Sequence, residues 1–148
     1  MPTDTDADQR PIVLLDTSTA IALIVEDHES HSATLAAVQG RRLGLAGHAW
    51  FETFSVLTRL PAGLRRSSTD ALHLLDHNFP ASGFLGESEA ADLGPELARL
   101  GIAGGSVCDA LVGAAARHHS RSLLSADSRA RPVYEALGVG LELIGHSE

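Results

Sequence analysis

The chain has 148 residues, 44% of them apolar and 20% charged, enough for one compact domain with a real core, too few for two, and unlike a disordered protein. Its formal charge of −8 sets phosphate and protein to repel. That argues against nucleic-acid binding through broad electrostatics and leaves open an acidic site masked by divalent cations. Met1–Arg10 is acidic and polar and reads as a loose tail, neither signal peptide nor anchor, so the domain is expected over residues 11–146. Pro11–Asp16 reads as a short apolar strand buried on both faces, as in a parallel sheet. Thr17–Val25 continues as an apolar helix, Glu26–Ser30 is a polar break, and Ser32–Gln39 is a second short helix. Arg42–Ala46 is a weaker strand, followed by an apolar-rich helix over Gly47–Leu60 that Pro61 stops. A basic loop, Ala62–Ser67, leads to a helix at Thr69–Asn78 and a short strand at Gly83–Leu85. Ser88–Leu100 is amphipathic, with a break expected at Pro95, and Gly101–Gly105 is a Gly-rich loop. Ser106–His119 is a helix, Arg121–Ser125 a second buried strand, Arg131–Leu137 a last helix and Gly140–Ile144 a last strand.

Strands alternating with helices imply an α/β fold, a three-layer α/β/α sandwich around a central parallel sheet of about five strands. With aromatics at 4% the core must come mainly from Leu, Ala, Val and Ile. The single cysteine, Cys108, excludes an internal disulfide and fits a reducing cytosol. No apolar run is long enough to span a bilayer.

Asp16 ends the first strand, and Asp127 lies just past the end of another. Asp109 sits in the first turn of the helix feeding that second strand, and Glu52 in the first or second turn of the helix after Arg42–Ala46. In an α/β sheet, strand C-termini and the N-termini of the following helices share the edge where ligands bind. Neighbouring parallel strands are about 4.8 Å apart, so Asp16 and Asp127 share one pocket if their strands are neighbours.

Each acid has a structural alternative. Asp16 could cap the next helix. Ser106-Val-Cys-Asp109 could be a capping box, with Ser106 as N-cap and Asp109 at N3. Glu52 could serve the helix dipole, and Asp127 could start a turn. Jointly the pattern says more. Glu52 and Asp109 lie among apolar neighbours, where an unpaired carboxylate is costly. At about 5 Å and an effective dielectric near 20, each like-charged pair costs roughly 3 kcal/mol. A divalent cation resolves that conflict, and Asp and Glu without His or Cys suit Mg²⁺ or Mn²⁺ better than zinc.

Four motifs carry a family resemblance: Val13-Leu-Leu-Asp-Thr-Ser18; Glu52 within Ala49-Trp-Phe-Glu-Thr-Phe-Ser-Val-Leu-Thr-Arg-Leu-Pro61; Gly104-Gly-Ser-Val-Cys-Asp-Ala110; and Leu123-Leu-Ser-Ala-Asp127. In this order and spacing the chain resembles the PIN-domain ribonucleases, most closely the VapC toxins of bacterial toxin–antitoxin pairs, over nearly its whole length after the tail. The resemblance implies a Mg²⁺-dependent endoribonuclease, with Mn²⁺ as a substitute ion. Asp16, Glu52, Asp109 and Asp127 would be its acids, of which Asp16, Asp109 and Asp127 would bind the metal. Ser18 would support Asp16, and Ser125 stands where the family more often has Thr, keeping the hydroxyl. The resemblance also implies a homodimer and a small antitoxin that blocks the site, often with an arginine.

Arg59, Arg65, Arg66 and Arg129 are candidates to hold RNA phosphates, against the alternative of solvated surface arginines; Arg131 is similar. His73 and His77 read as a surface pair, His118–His119 as a helix end, Cys108 as packing, and Trp50 as core or dimer packing. Gly101–Gly105 lacks the lysine and spacing of a P-loop. Two rival functions remain at this point. One is a Mg²⁺-dependent phosphatase with Asp16 as nucleophile, disfavoured because Ser18 replaces the second Asp such enzymes carry. The other is a non-catalytic interaction protein, disfavoured by the intact acidic set.

Overall fold

The computed structural model describes residues 9–145. The expected tail therefore lies outside the described residues except for Gln9 and Arg10, as does His146, the expected end of the domain. Eleven elements follow in chain order: β1 (Ile12–Leu15), α1 (Thr17–Ile24), α2 (His31–Val38), β2 (Arg42–Leu45), α3 (His48–Thr58), α4 (Ser68–Asn78), α5 (Glu87–Leu100), α6 (Ser106–His118), β3 (Ser122–Ser125), α7 (Arg131–Ala136) and β4 (Leu141–Leu143). The four strands form one parallel sheet in the order β2-β1-β3-β4. From β1 the chain runs first to β2 on one side and later to β3 on the other. The reversal thus falls between β1 and β3, the position where such sheets open a ligand crevice at their C-terminal edge.

Side chains alternate across the sheet, so each apolar strand supplies both cores. Val13, Leu15, Leu45 and Leu124 pack with Ala20 of α1, Val38 of α2, Leu57 of α3 and Leu75 of α4. Leu14 and Leu123 pack on the other face with Leu93 of α5, Ala110, Val112 and Ala114 of α6, and Tyr134 of α7. This is the three-layer sandwich. Each fully buried leucine contributes roughly 1.5–3 kcal/mol of transfer free energy. Among the described residues no helix is long and apolar enough to cross a membrane.

Among the described residues the sheet has four strands, close to the expected five, and the difference lies at its β2 edge. The segment expected as a strand at 83–85 makes only a single parallel bridge, Ala46 to Gly83. The backbone there begins as a strand would, with Ala81 N–H donating to the Leu43 carbonyl and Gly83 N–H to the Leu45 carbonyl (2.9 and 3.1 Å). Between them, however, the Leu45 N–H is taken by Ser82 Oγ (2.9 Å) instead of a backbone carbonyl. A side chain thus interrupts the ladder, while the segment still covers the open edge of β2.

Two helix expectations also change. α5 runs unbroken through Pro95. Ala91, whose carbonyl loses its intrahelical partner at a proline four residues on, and Pro95 itself both face solvent, so water can satisfy that carbonyl. Gly94 has no Cβ to clash with the proline ring. α6 starts at Ser106 with Gly105 as its cap and no side-chain capping bond, so the expected capping box at Ser106 and Asp109 does not form.

Gly44 of β2 lies flat against the covering segment: a Cβ there would run into the Ala81 carbonyl. Gly44→Ala is expected to lose at least about 2 kcal/mol, the range for overpacking a rigid site, measured by urea unfolding. A loss below about 0.5 kcal/mol, the size of an ordinary surface substitution, would contradict this account of the edge.

Candidate active site

Asp16 stands where β1 ends and α1 begins. Its extended backbone (φ −83°, ψ 177°) makes it the N-cap of α1, and its Oδ1 accepts from the Thr19 N–H at 3.1 Å. The Ser18 hydroxyl donates to the same oxygen at 2.6 Å. Ser18 Oγ in turn accepts from the Ala126 N–H (3.1 Å), which ties the end of β3 to the end of β1. Thr19 Oγ1 lies 3.1 Å from Asp16 Oδ1 and 2.8 Å from the Leu124 carbonyl. The other carboxylate oxygen, Oδ2, accepts from the Tyr134 hydroxyl at 3.0 Å. Asp16 is only 3% exposed, so this dense hydrogen bonding is what makes its burial tolerable.

Asp127 follows β3 through Ala126. Its own N–H donates to Ser125 Oγ (3.1 Å), and its Oδ1 accepts from the Arg129 N–H (2.9 Å), with Arg129 Nε at 3.5 Å. Capping by Asp16 and turn formation by Asp127 are thus both real, and neither excludes a second role. Asp109, freed from capping, projects from the first turns of α6. Glu52 comes from the second turn of α3, with His48 Nε2 3.8 Å from its Oε1. Gly47 makes that placement possible: it turns the chain from β2 into α3 with φ of +50°, and a Cβ there would stand 2.8 Å from Ala115 Cβ.

Asp16, Glu52, Asp109 and Asp127 line one cleft of about 560 Å³, together with Ser18, Thr17, Cys108, Arg129 and Tyr134. Their charges act on one another. Partial burial, then the charges of Asp127, Glu52 and Asp16, push the Asp109 carboxyl above the usual carboxylate range; Arg129 pulls the other way. Burial and the charges of Asp16 and Asp109 push the Tyr134 phenol far above its ordinary value, so it stays a neutral donor.

The donors suit a hard divalent cation: four carboxylates, with no imidazole among the cleft-lining residues and one thiol, the half-buried Cys108. Thr17 Oγ1 is, among the described residues, a buried side-chain oxygen without a hydrogen-bond partner, and Thr17 lines this cleft. No three of the described His, Cys, Asp or Glu side chains already stand as a ligating cluster. Mg²⁺ does not require one, because it binds through one or two carboxylates and keeps several waters.

The other candidates are placed less centrally. Arg129 reaches the cleft, with its side chain 92% exposed. Arg59, Arg65 and Arg66 do not line it. They lie at or beyond the far end of α3, with Arg59 about 10 Å along the axis from Glu52. Arg65 Nε donates to the Leu60 carbonyl at 2.9 Å, and Arg66 borders an apolar groove with Leu57 and Leu64. Arg131 pairs with Glu135. His73 and His77 are exposed on α4, and His118 and His119 close α6 with their rings in contact. Trp50 stacks on Phe54 in a partly buried cluster. Sequence reasoning overlooked Tyr134, Thr19 and Thr17. A signal existed for the first: it is the chain's single tyrosine, and a buried tyrosine hydroxyl needs a partner.

Because Asp109 has a raised pKa in the fold, its protonated form is favoured there. The stability it supports is present below its unfolded pKa of about 3.9 and is lost as pH rises through the higher folded value. Asp109→Asn should therefore unfold at a higher temperature than the unsubstituted protein in chelator at pH 7, with the gap closing towards pH 4. A variant no more stable at any pH would contradict mutual repulsion in the cleft.

Comparison with known proteins identifies the family. The family model for the PIN domain matches residues 13–136. The chain is 44% identical to "Ribonuclease VapC27" of Mycobacterium tuberculosis over 88% of this chain and 95% of that protein. It is 37% identical to "Ribonuclease VapC40" of the same species over 87% and 96%. Among solved structures it resembles VapBC2 from Rickettsia felis bound to a DNA fragment from their promoter (TM-score 0.63, 14% identity, covering 89% of this chain and 98% of that one). It also resembles FitAB bound to IR36 DNA (TM-score 0.63, 17% identity, covering 92% and 97%); at these identities both speak to the fold. A matched domain spanning all four acids, and relatives aligned nearly end to end, place the chain in the PIN-domain family, among the VapC ribonucleases.

Proposed function

We propose that this chain is a Mg²⁺-dependent endoribonuclease, the toxin of a toxin–antitoxin pair, that hydrolyses RNA phosphodiester bonds in the cleft between β1, β3, α3 and α6. The observation that carries the reading is the convergence of Asp16, Glu52, Asp109 and Asp127 on one cleft at the reversal point of the sheet. The names of its aligned relatives support RNA as the substrate.

Asp16, Asp109 and Asp127 would hold the cation, directly or through water, with Glu52 orienting from the α3 wall. When bound, the cation lowers the pKa of a coordinated water and offsets charge gathering on the phosphate. The protein's own residues do the rest. Ser18, Thr19 and Tyr134 fix the Asp16 carboxylate before substrate arrives, so little reorganisation is left for the reaction. Arg129, on the rim, can pair with a phosphate oxygen and set the strand's position. Water adds to phosphorus as the ester oxygen leaves in line. The acidic cleft repels RNA without its cation, which couples substrate binding to metal loading.

The same reading extends to partners: a small antitoxin protein that covers the cleft, a second copy of this chain in a homodimer, and action in the cytosol, where RNA and the single reduced thiol both belong.

The test is incubation of the purified chain with total cellular RNA, in Mg²⁺ or in chelator, followed by mapping of the cut ends. Discrete cuts are expected in Mg²⁺ and none in chelator. Asp16→Asn and Asp109→Asn should abolish cutting while circular dichroism stays unchanged. Full activity in either variant would remove that residue from the mechanism, and chelator-resistant cutting would remove the metal.

A further inference from the structure

The two oxygens of Asp16 are unequally engaged. Oδ1 receives the Ser18 hydroxyl at 2.6 Å and the Thr19 N–H at 3.1 Å, with Thr19 Oγ1 a further 3.1 Å contact. A carboxylate oxygen offers about two lone-pair directions, so Oδ1 is filled by the cap of α1. Oδ2 has a single donor among the described residues, the Tyr134 hydroxyl at 3.0 Å. One direction of Oδ2 remains, on a residue that lines the cleft.

Tyr134 is held for this contact from two sides. It is 1% exposed and comes from α7, the helix after the turn that carries Asp127. Its ring rests on Gly113 of α6, where a Cβ would stand 3.0 Å from the ring's Cδ1. Gly113 lies four residues after Asp109, on the same face of α6. Glycine inside a helix costs about 1 kcal/mol relative to alanine, and here it opens the seat for the ring. A phenylalanine would fill the same volume, so packing explains the ring, while among the described residues the hydroxyl answers to Asp16 Oδ2 alone. A neutral donor also suits the place. An arginine or lysine on Oδ2 would bring a fixed positive charge to the atom a cation must approach.

Resting on the metal-dependent reading above, we propose that Tyr134 is a positioning residue: its hydroxyl orients the Asp16 carboxylate so that Oδ2 is the oxygen offered to the cation, while Oδ1 is kept for the fold. This division lets one buried acid serve as helix cap and metal ligand without exchanging roles.

Two measurements test it. The first is calorimetric titration of Mn²⁺ into the full chain and into Tyr134→Phe, beside Thr34→Val. That comparator removes a buried hydrogen bond remote from the cleft, Thr34 Oγ1 to the Ser30 carbonyl (2.8 Å). Tyr134→Phe should bind Mn²⁺ about 10- to 100-fold more weakly, as loss of an orienting partner does elsewhere. Its RNA cleavage should fall at limiting Mn²⁺ and return at excess Mn²⁺, where KM for RNA should match that of the unsubstituted chain. Thr34→Val should lose stability and keep its Mn²⁺ affinity. Unchanged Mn²⁺ affinity in Tyr134→Phe, or cleavage that excess Mn²⁺ does not restore, would overturn the assignment while leaving the metal-dependent reading intact.

The second measurement needs no variant. Tyr134 is the single tyrosine of the chain, so ring-labelled ¹³C-tyrosine gives one Cζ resonance. That resonance should move as Mg²⁺ fills the site, because the acceptor of its hydrogen bond becomes a ligand. A resonance that stays fixed while calorimetry shows the site saturated would overturn the proposal. A wild-type chain that binds neither ion would overturn the metal-dependent reading and this inference together.

Discussion

Asp16 is the constraint around which this molecule is arranged. A carboxylate 3% exposed is tolerable only with its lone pairs met. Meeting them draws together the cap of α1, the end of β3 through Ser18 and Ala126, and α7 through Tyr134. Those contacts cross the gap between β1 and β3, where the chain's path over the sheet reverses. The hydrogen bonds that close the fold around Asp16 therefore also build one wall of the cleft.

The remaining acids supply tension. Glu52, Asp109 and Asp127 reach the same cleft from α3, α6 and the turn after β3, and the effect is visible at Asp109, whose carboxyl is held above its usual range by burial and its three neighbours. Within a chain of charge −8, nearby positive relief is small: among the described residues Arg129 is the basic side chain on the cleft, and it is almost fully exposed. Clustered acids that hold one another's charge at a cost, as at Asp109, are what a site kept for a ligand would show. The PIN-domain family membership gives that ligand its chemical setting.

Much of this was legible in the residues. Period-free apolar runs bounded by polar breaks located β1 and β3, and the acids at their ends followed from where α/β sheets place ligands. What escaped was decided by tertiary contact. Ser82 takes the Leu45 N–H and leaves the β2 edge short of a strand, and no local pattern announces a side chain replacing a carbonyl. Pro95 is tolerated inside α5 because the carbonyl it orphans, that of Ala91, faces water, a property of the fold. The Ser106 to Asp109 spacing matched a capping box, yet α6 begins one residue earlier than that box needs, with Gly105 rather than Ser106 as its cap. Tyr134 drew no reading from the sequence because its partner is 118 positions away. The arginines after α3 looked close to Glu52 in sequence, but the helix carries them away from the cleft.

The central claim is that four mutually repelling carboxylates in one cleft are reconciled by a divalent cation. It is tested most directly by the unfolding temperature of the purified chain at pH 7 as Mg²⁺ is raised from zero in chelator-treated buffer. A ligand that binds only the folded state must stabilise it in proportion to the logarithm of its concentration above Kd. The account predicts a midpoint that climbs steadily with Mg²⁺ and loses that climb in Asp16→Asn. A midpoint indifferent to Mg²⁺, or one that climbs equally without the Asp16 carboxylate, would contradict it.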